Sequence, residues 1–298
     1  MSGKLKEVRT RIASVKSTQQ ITKAMKLVSA AKLRRAQDAI VQMRPYADKM
    51  SNILRNISAA SEGEAEIAYA KEREAKKVLI VAITSDKGLC GGFNANVIKQ
   101  VKRTIEEKYA AQRDAGNVEM LCVGKKGNDF FQTFDLPLNS DFVGLFGKTV
   151  EFENVAEAAE FIKAGFVNGD YDVVEVVYNR FKNAATQVLS SEQYLPIKQM
   201  ETEETDSEKS FSVDYIFEPD QAQLIGELVP KILNLQFFKF VLDSNAAEHG
   251  ARMTAMDQAT ENANELLRDL RISYNRARQA AITTELTEIV SGAAALGG

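Results

Sequence analysis

The sequence is poor in the residues that carry most covalent and metal chemistry: two cysteines, one histidine and no tryptophan occur among its 298 residues. Cys90 and Cys122 form no C-x-x-C pair, which excludes disulfide frameworks and zinc ribbons. A lone His249 supplies neither a zinc site nor the usual base of a hydrolytic relay. No apolar run approaches the ~18 residues of a membrane-spanning helix, and the N-terminus has no hydrophobic signal core. A large excess of one charge is missing too: 38 Lys and Arg face 41 Asp and Glu, with 45 % of residues hydrophobic and 27 % charged. This is the composition of a soluble globular chain with one large or two modest domains, expected in the cytoplasm.

Helix breakers are scarce at both ends. Only five prolines occur, at 45, 137, 196, 219 and 230, and residues 4–44 and 251–291 contain neither Gly nor Pro. At 1.5 Å per residue each stretch makes a rod of about 60 Å, which points to coiled coil. The N-terminal stretch carries Leu5, Val8, Ile12 and Val15, then Leu33, Ala36, Ile40, Met43, Ala47, Met50, Leu54 and Ile57, on one heptad track. Between them the track holds Gln19, Thr22, Lys26 and Ser29, so the seam is expected to shift there to Ile21, Met25 and Val28. Pro45 is expected to kink the helix without ending it. The C-terminal stretch offers Ile225, Leu228, Ile232, Leu235 and Leu242, then Ala259, Ala263, Leu266, Leu270 and Ala277. The two end helices are expected to pair antiparallel.

The middle changes period. Val78–Thr84 and Val118–Val123 read as buried strands, with Tyr171–Tyr178, Thr186–Leu195 and Phe211–Phe217 as further candidates. Asn94–Arg113, Lys126–Phe134 and Val155–Val167 read as helices between them. Such alternation predicts an α/β fold: a long antiparallel coiled coil of N- and C-terminal helices with an inserted Rossmann-like parallel-sheet domain. The expected segments are a shaft helix over 1–60, the α/β domain over 76–197, an acidic connector over 198–219 and a second shaft helix over 220–298. The connector holds five carboxylates at 201, 203, 204, 206 and 208 and reads as a solvated loop.

Nucleotide motifs fail inspection. Gly147-Lys148-Thr149 has Phe142 where a P-loop needs its first glycine. The turn Ser85–Asn94 (SDKGLCGGFN) sits where a dinucleotide fingerprint would, but its glycine spacing is not G-x-G-x-x-G. It reads as a tight turn and helix start, with an anion site or an exposed protein contact as alternatives, and Cys90 reads as a small apolar residue rather than a reactive thiol. His249, placed before the terminal helix, reads as a surface or capping residue. Glu285 and Glu288 share a helix face without a complementary acid, base or metal ligand, so a salt bridge or partner contact is the better reading. By elimination no cofactor, metal or catalytic residue is expected. Residues 1–37 hold ten bases (Lys4, Lys6, Arg9, Arg11, Lys16, Lys23, Lys26, Lys32, Arg34 and Arg35) against Glu7 alone. That face suits an acidic partner, and a nucleic-acid-binding coiled coil is the alternative, weakened because the segment has no aromatic residue for stacking.

The C-terminal run Ile282–Ala295 (ITTELTEIVSGAAA) resembles the terminal signature of the gamma subunit of F-type ATP synthases. Arg11–Val15, Thr18–Met25, the turn 85–94, Arg252–Met256 and Tyr274–Gln279 resemble further stretches of that family in the same order. Residues 125–215 match it only loosely. The resemblance implies a non-catalytic central rotor stalk that transmits torque between a proton-driven membrane c-ring and a catalytic ring of alpha and beta subunits, with epsilon as a further partner. It implies no direct membrane insertion, no nucleic-acid partner, and a peripheral place on the cytoplasmic face of a bacterial membrane. The absence of a transit peptide is taken to favour the bacterial form. Carried over by position, it implies partner-contact roles for Met25, Arg252, Gln279, Thr283 and Glu285, for the basic Lys23 and Lys26 against acidic levers on beta, and for Lys87 and Cys90 in the central turn. The small residues near Ala280–Ala295 would turn within an apolar sleeve, so a charge at Ala294 is expected to impair coupling more than assembly. The family commonly has methionine at Leu286, and the closely spaced cysteine pair of its light-regulated chloroplast form is absent.

Overall fold

The computed structural model describes residues 3–60, 68–147, 150–197 and 221–296. The expected acidic connector and the candidate strand 211–217 lie outside the described residues. Two compact units emerge, the first made of residues 1–31 and 252–298 and the second of residues 32–251. Helices α1 (Gly3–Ala60) and α6 (Gln221–Leu296) each contribute to both units. Pro45 lies inside α1 and Pro230 inside α6, and both helices run on past them.

Unit 2 is built on a five-stranded sheet. Its strands are β1 (Val78–Ile83), β2 (Val118–Val123), β3 (Leu138–Asn139), β4 (Val173–Phe181) and β5 (Gln187–Leu195), in the order β3-β2-β1-β4-β5. The first four are parallel, with Val78 opposite both Val118 and Val173. β5 departs from the expected all-parallel sheet and runs antiparallel to β4. The reason is chain length: residues 182–186 are all that joins the two strands, whereas a parallel return needs a crossover of about a dozen residues or more. Asn183 closes the turn, its Oδ1 accepting from the backbone N–H of Ala185 at 3.0 Å and Thr186 at 2.7 Å.

Strand β1 is buried on both faces, as its unbroken Val/Leu/Ile run requires. Helices α2 (Phe93–Lys108), α3 (Ala110–Asp114), α4 (Lys125–Phe131) and α5 (Phe152–Asn168) complete the domain. Val78, Ile80 and Ala82 pack with Val97, Val101 and Ile105 of α2 and Phe131 of α4. Leu79, Val81 and Ile83 belong to the opposite core, shared with Val155, Ile162 and Phe166 of α5 and Val229, Leu233, Phe237 and Phe240 of α6. The expected face of α6 holds in part: Leu235 and Leu242 are buried, but Leu228 and Ile232 are half-buried while Val229 and Leu233 take the core. The single helix expected over 94–113 is two, because Tyr109 leaves helical geometry at φ −129°. α5 ends where Gly169 adopts φ +82°, a left-handed cap that glycine takes without penalty.

Two buried side chains tie α6 to this core. The Tyr194 hydroxyl donates to the Leu233 carbonyl at 3.0 Å. The Lys163 ammonium donates to Glu160 Oε1 at 2.7 Å and to the Pro230 carbonyl at 3.1 Å.

Unit 1 is an antiparallel helix pair. Gln19 bonds Asn264, Thr22 Oγ1 lies 2.8 Å from Thr260 Oγ1, and Lys26 Nζ lies 2.5 Å from Asp257 Oδ1. The seam stays on its original heptad track through these polar positions. Thr22 and Ser29 are buried, whereas Ile21 and Val28 are 56 % and 58 % exposed, so the expected shift of the seam does not occur. On the other helix Met256, Ala263, Leu267 and Leu270 are buried; Leu267, not the expected Leu266, faces inward. The small hydroxyl and amide side chains satisfy one another across the pair, which removes the desolvation penalty that would otherwise drive them outward.

Candidate partner-contact surfaces

The turn after β1 is held by its own side chains. Asn94 Oδ1 accepts from the Ser85 N–H at 2.9 Å, Ser85 Oγ donates to the Lys87 carbonyl at 2.7 Å, and Asn94 Nδ2 donates to Cys90 Sγ at 3.3 Å. Asp86 Oδ1 accepts from the Lys125 N–H at 3.1 Å. At the tip Leu89 combines two unusual properties: φ is +62° and the side chain is 65 % exposed. A branched residue in the left-handed region stores strain. The turn spends that strain on presenting an apolar side chain to solvent. Leu89 was not singled out in the sequence, where only the glycines around it mark a turn.

The order of connections reverses between the parallel strands β1 and β4, and sheets of this kind take ligands in the crevice at that point, beyond the C-terminal ends of the strands. Here the crevice is filled from within. Cys90 and Phe93 pack against Ala247 of α6, with Phe181 and Ala251 beside them. Asn179 Nδ2 donates to the Phe93 carbonyl at 3.3 Å. Gly250 approaches the β4–β5 turn so closely that a Cβ there would stand 3.1 Å from the Ala184 carbonyl oxygen.

The thiols and acids lack the setting of a reaction centre. Both cysteines are buried, and desolvation pushes the Cys122 thiol up to about 12. Glu175, buried in β4, has its carboxyl held below the ordinary range: desolvation is the largest single influence and acts upward, but donors from Lys108, Ser191 and Tyr109 together outweigh it. Asp243 goes the other way, raised to about 6 by desolvation that the nearby cations Lys239, Arg44 and Arg180 only partly offset. Among the described residues no cluster of His, Cys, Asp and Glu is placed to hold a metal ion.

The residues named from the sequence fall into three places. Lys23 is exposed on α1, Met25 is half-buried, and Lys26 is half-buried in its ion pair with Asp257. Arg252 is buried in α6, and Gln279, Thr283 and Glu285 are exposed on its last turns, where Thr283 Oγ1 donates to the Gln279 carbonyl at 3.0 Å. Lys87 is exposed in the turn, while Cys90 is 2 % exposed and turns its thiol inward. His249 corrects its reading: it is buried within α6, which begins well before it.

The geometry also exposes apolar residues that no seam explains. Ile21, Leu27 and Val28 project from α1, and Ile282, Leu286, Ile289 and Val290 from the end of α6. In the three cross-helix pairs the residue numbers sum to 283, 282 and 283, which sets Gly3 opposite about residue 280 by the antiparallel register. The last described turns of α6 therefore run past the described start of α1. The signal available in the sequence was the off-track position of Ile21 and Val28.

A family model described as ATP synthase matches residues 4–296. Curated relatives include the ATP synthase gamma chain of Cytophaga hutchinsonii, 53 % identical over 292 residues, covering 98 % of each chain. That of Chlorobium phaeobacteroides is 52 % identical over 296 residues, covering 99 % of each. Among solved structures, the fold is similar to a chain of the Euglena gracilis mitochondrial ATP synthase in rotational state 3 (TM-score 0.67, 21 % identity, 99 % of this chain and 95 % of that one). It is also similar to a chain of the central stalk and c-ring of the Tetrahymena thermophila enzyme (TM-score 0.56, 24 % identity, 80 % and 99 %). With the family model spanning nearly its whole length and close relatives agreeing from end to end, the chain belongs to the ATP synthase gamma-chain family.

Proposed function

We propose that the chain is the central rotor stalk of a rotary ATP synthase. It carries torque between a membrane c-ring and a ring of alpha and beta subunits, contacts epsilon, and performs no chemistry itself. The observation that carries this reading is the helix pair of unit 1, in which α1 turns Gln19, Thr22, Lys26 and Ser29 to the seam while Ile21, Leu27 and Val28 face outward. A free-standing coiled coil buries its apolar residues, so outward ones mark a surface that another protein covers. An asymmetric rod changes the relative energies of partner conformations as its angle changes, which is all that coupling demands of it. The internally filled crevice supports the non-catalytic reading. Among the described residues no helix is long and apolar enough to cross a membrane, and the chain acts peripherally, on the cytoplasmic face in a bacterium.

Lys23, Met25, Lys26, Arg252, Gln279, Thr283 and Glu285 serve the shaft in this reading, as ring contacts or by holding its two helices together. Lys87 and the turn closed by Cys90 present a second contact, with Leu89 at its tip. The test is ATP-driven rotation of a bead fixed through Glu106→Cys on the exposed face of α2, in a complex with alpha and beta from the same source. The buried native thiols leave the new cysteine as the accessible one. Unidirectional rotation is the expected result. Failure of the chain to enter the ring would sink the proposal, and salt-sensitive binding of DNA by residues 1–37 would replace it.

A further inference from the structure

The crevice at the β1/β4 reversal has been put to a different use from ligand binding. Three elements converge on it: the turn after β1 brings Cys90 and Phe93, the end of β4 and its turn bring Phe181 and Ala184, and α6 brings Ala247, Gly250 and Ala251. The α6 residues at the contact are small, so the helix backbone itself sits in the crevice, and Gly250 sits against the backbone of Ala184. Residues 246–250 of α6 are all buried, a helix enclosed around its circumference.

We infer that this crevice is a socket that grips α6 and fixes its angle against the sheet, with Gly250, Ala247 and Phe93 as its positioning residues. The inference rests on the rotor reading. A rod that carries torque must not turn inside the domain that loads it, and over Val229–Phe240 the core resists tilting through side chains, two of which, Tyr194 and Lys163, hold the helix carbonyls of Leu233 and Pro230. The socket adds contact of backbone against backbone, which close-packed interiors do not deform gradually. Its stiffness comes from shape, since a side chain at 250 presses on the Ala184 backbone and a smaller one at 93 leaves a gap. The grip is static: the crevice stays closed throughout the cycle.

A cross-link and two loosened variants test it in the assembled complex with authentic partners. In Ala247→Cys the new thiol joins the cluster that holds native Cys90; oxidation is expected to form a disulfide and to leave ATP hydrolysis, rotation and ion pumping unchanged from the same variant under reductant, whatever the substitution itself does to them. A rotation block on oxidation that reductant reverses would overturn the static grip. If no disulfide forms, the socket geometry is wrong. In Phe93→Ala the bead on α2 is expected to show a wider angular spread while the ring is stalled and fewer ions pumped per ATP, with hydrolysis retained and Phe93→Leu restoring both. Gly250→Val should widen the spread in the same way from the other side. An unchanged spread in a Phe93→Ala rotor that still turns overturns the socket alone, whereas an unmodified chain that drives no rotation removes the reading beneath it. If both loosened variants fail to assemble, the disulfide still decides.

Discussion

In unit 2, β1 buries all six of its residues, whereas in unit 1 the stretch of α1 over residues 3–31 buries only Leu5, Thr22 and Ser29. One unit is held by apolar volume and the other by a thin seam in which Leu5, Met256, Ala263, Leu267 and Leu270 are mixed with small polar contacts. The difference shows where each gets its specificity. A sheet covered on both faces by helices fixes its neighbours by packing, while a two-helix pair has no interior to speak of and fixes its register through matched side chains such as Thr22 with Thr260. Unit 2 encloses a core of large residues while leaving Val41, Tyr46 and Leu89 outside it, and unit 1 leaves Ile21, Leu27 and Val28 outside a thin seam.

The largest break of that contrast is Phe237→Ala, which opens a cavity beside Tyr194, whose ring centroid lies 5.7 Å away. It should cost about 3–5 kcal/mol, read as faster hydrogen exchange of the β1 amides with the helix pair of unit 1 unaffected. Next is Glu175→Ala, which strips the acceptor from Lys108, Tyr109 and Ser191. The expected cost is about 2 kcal/mol, since Lys108 is half exposed and recovers water. The carboxyl of Glu175 is held below its unfolded value, so its contribution is present above ~4.3, the ordinary Glu value, and is lost as pH falls through the folded one.

Asp243 carries the opposite sign. Its carboxyl is raised from 3.8 to about 6, so its stabilising effect is full below the unfolded value and lost as pH rises through about 6. Asp243→Asn should therefore stabilise unit 2 above that pH, on the order of 1–2 kcal/mol, and the gain should vanish in acid. Denaturation profiles at pH 7.5 and 4 decide it; a loss at pH 7.5 would refute it. The smallest effect belongs to unit 1. Lys26→Ala removes a pair whose side chains are 38 % and 57 % exposed; it should change stability by less than ~1 kcal/mol, and by nothing measurable in high salt.

Legibility in the sequence divided along the same line. β2 could be read to the residue and β1 to within one, Thr84 lying beyond its end, because a strand buried on both faces is an unbroken apolar run closed by a Gly-bearing turn. The antiparallel pairing of the helices followed from the breaker-free ends. The inward turn of Leu267 over Leu266 did not, because adjacent leucines satisfy one heptad track equally well. The straight seam through Gln19 and Thr22 was hidden because apolar periodicity assumes that apolar residues face a partner helix, which fails where a different partner covers them. The direction of β5 depended on the length of its turn, the two-residue β3 is too short for any period, and the burial of His249 depended on where α6 begins. The candidate contacts were named by resemblance to a family, position by position. Their exposure is a fact of three dimensions, and it is what separates Lys87, out in solvent, from Cys90, turned inward.

The apolar stripe of α1 also bears on how the subunit lives in a cell. Ile21, Leu27 and Val28 lie on a helix that carries nine more bases than acids over residues 1–37. A copy made without partners shows sticky and cationic surface together, the pattern that recruits holdases and proteases. Its lifetime is then set by the supply of the subunits that cover it, so that synthesis in step with them is as much a requirement of this surface as rotation is.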